Sequence, residues 1–251
     1  MKIEFSGKTV VVSGADHGFG RVIAQSFDAM GAKVFACGLS AASMAETAAG
    51  NGITTAVVDL ADRKAATAWI KSIEAATGGA VDILVNNAGG VGGQTPHPLD
   101  EVPDEDWDKL FNINVNAAMV LIRASMAGMK KSGAGRIVNI SSGAGLQASL
   151  TGIQAYCSAK HAVIGLTRQM AHELGPFNIT VNSVAPGFIR TNPATEKQWE
   201  SYGADGQKAL VERIALKRLG GAQDIANAVI FFASELGSFV NGQIIQVDGG
   251  R

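Results

Sequence analysis

The 251-residue chain has no run of the roughly 18 consecutive apolar residues that a membrane-spanning helix needs. Its first residues, Met1-Lys2-Ile3-Glu4-Phe5, lack the apolar core of a signal peptide, so no membrane association and a cytoplasmic location are expected. Charge of one sign is also missing. The 21 Lys and Arg against 22 Asp and Glu leave a formal net charge of -1, with no basic field to draw in nucleic acid. Cysteine occurs twice, at Cys37 and Cys157, in separate predicted elements; this excludes a disulfide framework and a metal-ligand set, and both read as small buried residues. Internal repeats and low-complexity linkers are absent. What is present, 47% hydrophobic and 17% charged residues, suits one sizeable α/β domain over 1–251.

Seven short Val/Ile-rich runs bounded by Gly, Asn or Asp read as strands: Thr9–Ser13, Lys33–Cys37, Ile53–Asp59, Val81–Asn86, Arg136–Ser141, Ile179–Val184 and Gln243–Val247. Alanine-rich segments of helical length lie between them, including a long helix over Trp107–Met129 that carries Asn114 among apolar neighbours. The alternation predicts a doubly wound parallel sheet with helices on both faces, right-handed crossovers, and ligands at the carboxyl ends of the strands.

Several of those strand ends carry informative residues. The first opens into Ser13-Gly14-Ala15-Asp16-His17-Gly18-Phe19-Gly20, a glycine-rich turn into a helix, which lets backbone N–H groups and the helix N-terminus approach a pyrophosphate. The second ends at Gly38-Leu39-Ser40 and offers neither the acid that binds the ribose 2′-hydroxyl of NAD nor the arginine that suits the 2′-phosphate of NADP. The third closes on Asp59-Leu60, where the carboxylate can accept from an adenine amino group or cap a helix. The fourth runs into Asn86-Asn87-Ala88-Gly89-Gly90, a small-residue turn against which a flat ring can lie, with its amides bracing neighbouring strands. The fifth ends in Ser141-Ser142-Gly143.

Fourteen residues after Ser142 stands Tyr156, followed at i+4 by Lys160. Positions i and i+4 share a helix face, so a lysine ammonium there can approach the phenol. At about 4 Å and an effective dielectric of about 20 that charge is worth about 4 kcal/mol, an upper bound of about three pKa units on a tyrosine of ordinary value near 10. Tyr156 would then titrate near neutrality.

Together, Ser13-Gly14-x3-Gly18-x-Gly20, Asn86-Asn87-Ala88-Gly89, Asn114, Ser142, Tyr156-x3-Lys160, Pro186-Gly187 and Val247-Asp248-Gly249-Gly250 resemble the classical short-chain dehydrogenase/reductase family, in order and across the whole chain. The resemblance implies a single-domain Rossmann-type fold, usually a homotetramer, that moves hydride between a nicotinamide and a carbonyl or alcohol carbon. It implies that Tyr156 is the general acid/base, that Ser142 hydrogen-bonds the substrate oxygen, and that Lys160 holds the nicotinamide ribose and lowers the tyrosine pKa. Asn114 would order a water of the proton relay. Gly14, His17, Gly18, Phe19 and Gly20 would lie at the pyrophosphate, Gly38 and Leu39 at the ribose, Asp59 and Leu60 near the adenine. Asn87, Ala88 and Gly89 would flank the adenosine-side ribose, with Pro186, Gly187, Ile189 and Thr191 toward the carboxamide. The interval from Ser142 to Tyr156 is one residue longer than the common spacing, which leaves Ser141 as the other candidate to face the substrate.

An imidazole at His17 is a weak substitute for the always-charged partner a 2′-phosphate normally needs, so the cofactor, NAD or NADP, leans to NAD. The polar run Asn192–Gln207 is a connection long enough to act as a lid, placed at about 192–216. With Gln147, Gln154 and Arg190 as further substrate-binding residues, it points to a secondary alcohol on a small polar molecule: a sugar, polyol or sugar acid. The alternative is a 3-oxoacyl thioester reductase using NADPH; a remote one is a dinucleotide-binding protein without turnover.

Overall fold

A computed structural model describes residues 3–149 and 151–251. Seven parallel strands form one sheet in the order β3-β2-β1-β4-β5-β6-β7. They are β1 (Thr9–Ser13), β2 (Lys33–Gly38), β3 (Thr54–Val57), β4 (Ile83–Asn86), β5 (Gly135–Ile140), β6 (Ile179–Pro186) and β7 (Ile244–Val247). Every strand expected from the sequence is present, with shorter limits at β3, β4 and β7. The strands at the centre read as continuous apolar runs because both of their faces are covered: Val10 to Val12 and Leu84 to Val85 are fully buried. Strand order reverses between β1 and β4, which opens a crevice at their carboxyl ends.

Two apolar clusters cover the two faces. One joins α1 (Gly18–Ala29) and α9 (Ala222–Ala233) to the sheet through Ile23, Phe27, Ile225 and Val229. The other joins α3 (Arg63–Thr77) and α5 (Ala117–Ser132) through Trp69, Ile70, Ile73, Val120 and Leu121. The remaining helices are α2 (Ala41–Ala48), α4 (Asp104–Phe111), α6 (Gln154–Leu174), α7 (Pro193–Ser201) and α8 (Gly203–Arg213).

Three expectations are corrected. The helix read as one piece over Trp107–Met129 is α4 and α5 joined through a π turn, Asn112–Asn116. By length and hydropathy the whole stretch Asp104–Ser132 could cross a membrane; half of its most apolar window is buried in the fold, as befits a core helix. The polar run from Asn192 is helical, not an open loop, because Asn192 and Thr195 form a reciprocal capping box and Pro193 occupies the first turn. Cys157 is only part-buried, with its thiol 3.2 Å from the Ala144 carbonyl oxygen, whereas Cys37 is fully buried in β2.

Candidate active site

The carboxyl ends of β1, β4, β5 and β6 bring the expected residues to one crevice. After β1, Gly14 adopts φ +65° and would place a Cβ 2.7 Å from the Ala88 Cα, so the two strand-end turns touch only because this residue has no side chain. Gly20, in the first turn of α1, packs so closely that a Cβ would strike the Gly14 carbonyl oxygen. The turn is tied to β4: the Asn87 amide donates to the carbonyls of Ser13 (3.0 Å) and Gly14 (2.8 Å), and the Ser13 hydroxyl accepts from the N–H groups of Asn87 and Ala88. Asn86, by contrast, is buried and donates to Asn139 of β5 at 2.8 Å. His17 caps the start of α1, exposed and with no side-chain cap bond, and Phe19 packs on the core.

On the opposite side, Ser142 settles which serine faces the tyrosine. Ser141 is buried, donating to the Val184 carbonyl (3.2 Å) and accepting from Ser183 (2.9 Å). The Ser142 hydroxyl accepts from the Ala144 N–H at 3.1 Å and is hydrogen-bonded to the Tyr156 phenol. Tyr156 lies in the first turn of α6 and packs against Leu110, Ile153 and Ala155. Lys160, one turn on and 4% exposed, donates to the Ile140 carbonyl at 3.0 Å, and its Nζ lies 5.7 Å from the Tyr156 ring centroid.

That geometry corrects the expected electrostatics. Burial raises the Tyr156 pKa above its ordinary 10, opposed by the Ser142 hydrogen bond, and the Lys160 ammonium lies 5.7 Å from the ring centroid. Burial also lowers Lys160 from 10.5 to about 8. The chain alone therefore does not bring the phenol to neutrality.

Asn114, 2% exposed, stands in the π turn, a feature frequent at functional sites. Its amide donates to the carbonyls of Gly90 and Leu110, both at 2.9 Å, and accepts from the Gly90 N–H at 2.9 Å. The side chain is thus used in holding the turn after β4. A Cβ on Gly89 would run into the Asn114 carboxamide oxygen and stand 3.5 Å from the Lys160 Nζ, so these three groups adjoin.

Other expected residues fall differently. Leu60 and Ile189 bury their side chains in the core, leaving only their backbone for a ligand. Asp59 does not cap α3, a role taken by Asp62; it is exposed and accepts from the Ala61 N–H at 2.9 Å. Pro186 ends β6, and Gly187 lies against Asp248 beyond β7. Gly18 approaches Thr191, where a Cβ would meet the threonine at 3.2 Å. Arg190 is committed: Nε and Nη2 donate to the Glu196 carboxylate (3.0 and 2.6 Å), and the guanidinium lies 5.4 Å from the Trp199 ring centroid. Gln147 is exposed, and Gln154 donates to the His97 carbonyl at 2.9 Å. Gln154 lines a cavity of about 210 Å³ with Thr95, His97, Asp106 and Lys109. Sequence reasoning missed Asp16, whose carboxylate accepts from the N–H groups of Leu39 and Ser40; the signal was an acid in the first turn paired with a glycine at the end of β2.

The arrangement fits a nicotinamide dinucleotide. The strand-end turns present bare backbone at Gly14 and Gly18, which pack against Ala88 and Thr191, and Leu39 leaves an apolar surface 70% exposed beside them. Fold and site define an oxidoreductase of the Rossmann type. The chain belongs to the classical short-chain dehydrogenase/reductase family: residues 14–251 match the family described as Enoyl-(Acyl carrier protein) reductase. It is 37% identical over 254 residues to a 3-oxoacyl-[acyl-carrier-protein] reductase of Escherichia coli (strain K12), covering 99% of this chain and 98% of that one. It is 35% identical over 249 residues to a (2S)-[(R)-hydroxy(phenyl)methyl]succinyl-CoA dehydrogenase subunit of Thauera aromatica, covering 97% and 96%. The structure of a putative NAD(P)-dependent gluconate 5-dehydrogenase from Beutenbergia cavernae, with NADP bound at low occupancy, superposes with a TM-score of 0.86 at 35% identity, over 98% of this chain and 97% of that one. The chain is accordingly an NAD(P)-dependent oxidoreductase acting on CH–OH and C=O groups.

Proposed function

We propose that the enzyme interconverts a 3-oxoacyl thioester and its 3-hydroxyacyl counterpart. The observation that carries this reading is the end-to-end similarity, at 35–37% identity, to relatives whose acyl groups ride on a carrier protein or on CoA. The similarity displaces the sugar or polyol as first choice. Bound at the crevice, the nicotinamide supplies or takes up the hydride. Tyr156 gives its phenolic proton to the substrate oxygen in reduction and recovers it in oxidation. Ser142, hydrogen-bonded to the phenol, holds that oxygen in place, and Lys160 is charged below about pH 8 and supports the phenolate when the proton leaves. Asn114 acts by fixing the turn at Gly89 and Gly90 beside Lys160.

A sugar-acid dehydrogenase is the second reading. It is favoured by the polar cavity at Gln154, His97, Asp106 and Lys109 and by the gluconate dehydrogenase neighbours at 35% and 29% identity. We further read the enzyme as a cytoplasmic homotetramer that prefers NAD, with α7 and α8 as a substrate lid. A spectrophotometric assay of acetoacetyl-CoA, 3-hydroxybutyryl-CoA, gluconate and 5-ketogluconate with each of NAD(H) and NADP(H) tests the substrate class. Turnover of gluconate with none of either thioester would reverse the order of the two readings.

A further inference from the structure

At the end of β2 the place of a cofactor-reading side chain is filled from another loop. Gly38 is buried, and a Cβ built on it would run into the carboxyl group of Asp16. That carboxylate accepts from the Leu39 N–H at 2.9 Å and the Ser40 N–H at 2.8 Å through Oδ1, and again from Leu39 at 3.1 Å through Oδ2. Consecutive backbone N–H groups in a turn form an anion-binding concavity, and here the protein supplies the anion itself.

Asp16 is also held from behind. Arg21 donates to the Asp16 carbonyl, to Thr47 Oγ1 (3.0 Å), to the Ser43 carbonyl (3.2 Å) and to Glu46 (2.9 Å), while the Thr47 hydroxyl donates to the Ala15 carbonyl at 2.7 Å. The guanidinium nearest this loop is therefore occupied by carbonyls and a carboxylate of the protein. Asp16 itself remains part-exposed, and a carboxylate has about four acceptor sites, of which the backbone uses three.

In dinucleotide folds the group that reads the adenosine ribose stands at the end of the second strand. We propose that Asp16, although it belongs to the first loop, is the residue that sets cofactor specificity: it accepts from the ribose 2′-hydroxyl and excludes a 2′-phosphate. Exclusion has two sources of the same sign. The carboxylate repels the phosphate, and it already occupies the Leu39 and Ser40 N–H groups that a phosphate would need. The proposal rests on reading this crevice as the dinucleotide site. It also explains why β2 ends in glycine, since any side chain at 38 would displace the acid.

Calorimetric titration with ADP-ribose and with 2′-phospho-ADP-ribose, which lack the nicotinamide and need no turnover, tests it. The wild-type enzyme should bind ADP-ribose at least about thirtyfold more tightly, a difference of about 2 kcal/mol. Asp16→Asn keeps an acceptor for both N–H groups and drops the charge, so the ratio should fall at least about fivefold while circular dichroism stays native. Asp16→Ser should bring it near unity. Adding Gly38→Asp to Asp16→Ser, where the new Cβ has room, should restore most of it. A wild-type ratio near one or inverted, or a ratio unmoved in both single variants, overturns the assignment. Failure of the wild-type enzyme to bind either fragment or NAD and NADP would overturn the dinucleotide reading itself, and this proposal with it.

Discussion

Replacing Lys160 by Met separates what the fold wants from what the chemistry wants. Lys160 is 4% exposed, and burial lowers its pKa from 10.5 to about 8, a difference worth about 3 kcal/mol at 1.36 kcal/mol per pKa unit. The sign follows from proton counting. Between about pH 8 and 10.5 the unfolded lysine still holds a proton that the folded one has released, so stability rises with pH across that window. Below about 8 the full penalty is present. Methionine removes the penalty but leaves the Ile140 carbonyl without its donor at 3.0 Å, a loss of about 1–3 kcal/mol. Lys160→Met should therefore match or exceed the wild-type stability at pH 7, by up to about 2 kcal/mol, and fall below it by about pH 10. Urea denaturation of both proteins from pH 6 to 10.5 measures the difference, which also cancels the opposing effect of Cys37, whose buried thiol is pushed up to about 12. A stability difference that does not change with pH would refute the reasoning, since no other origin of the Lys160 effect predicts that window. Turnover should be lost in the variant at every pH.

Tyr156→Phe keeps the ring packed on Leu110 and Ile153 and removes the ionisable oxygen, so kcat should fall by about 10²–10⁴-fold with NAD binding retained; retention of more than about a tenth of the rate would reassign the acid/base. A thiol-specific reagent should label the part-buried Cys157 in the native protein and reach Cys37 only on unfolding, as peptide mapping would reveal. Hydrogen exchange over 192–213 should slow when NAD and substrate are both present, and equal exchange with and without them would remove the lid. Arg190→Ala should change KM for an acidic substrate only if closure first breaks the Glu196 pair, so Glu196→Gln should move the same constant in the opposite direction.

The strands were legible because parallel strands buried on both faces spell out continuous apolar runs between glycine and asparagine turns, as at Val10–Val12 and Ile137–Val138. Ser142, Tyr156 and Lys160 were legible as a spaced set, since Ser142 follows β5 directly and positions i and i+4 share one face of α6. Three features were not. Helices α7 and α8 have a polar composition without a strong apolar stripe, and the start of α7 is set by the Asn192–Thr195 capping pair. The direction of the Tyr156 shift depended on how deeply the fold buries the phenol, and the Lys160 ammonium is also engaged by the Ile140 carbonyl, neither of which the i, i+4 spacing reveals. Asp16 was overlooked because its partners, Leu39 and Ser40, lie 23 and 24 residues away, a separation at which only the β1–β2 pairing brings them together.

The π turn at Asn112–Asn116 holds one residue more than a regular helix would accommodate there, and each residue of an α-helix turns by about 100°. That extra residue acts as a phase shifter. It lets Trp107 and Leu110 of α4 address the small cluster around Tyr156 while Val120 and Leu121 of α5, along the same continuous rod, address the main core. Deleting one residue within 112–116 would regularise the backbone yet swing α4 by about a quarter turn relative to the sheet. The straighter, more regular helix would then be the one that had lost its wall behind Tyr156.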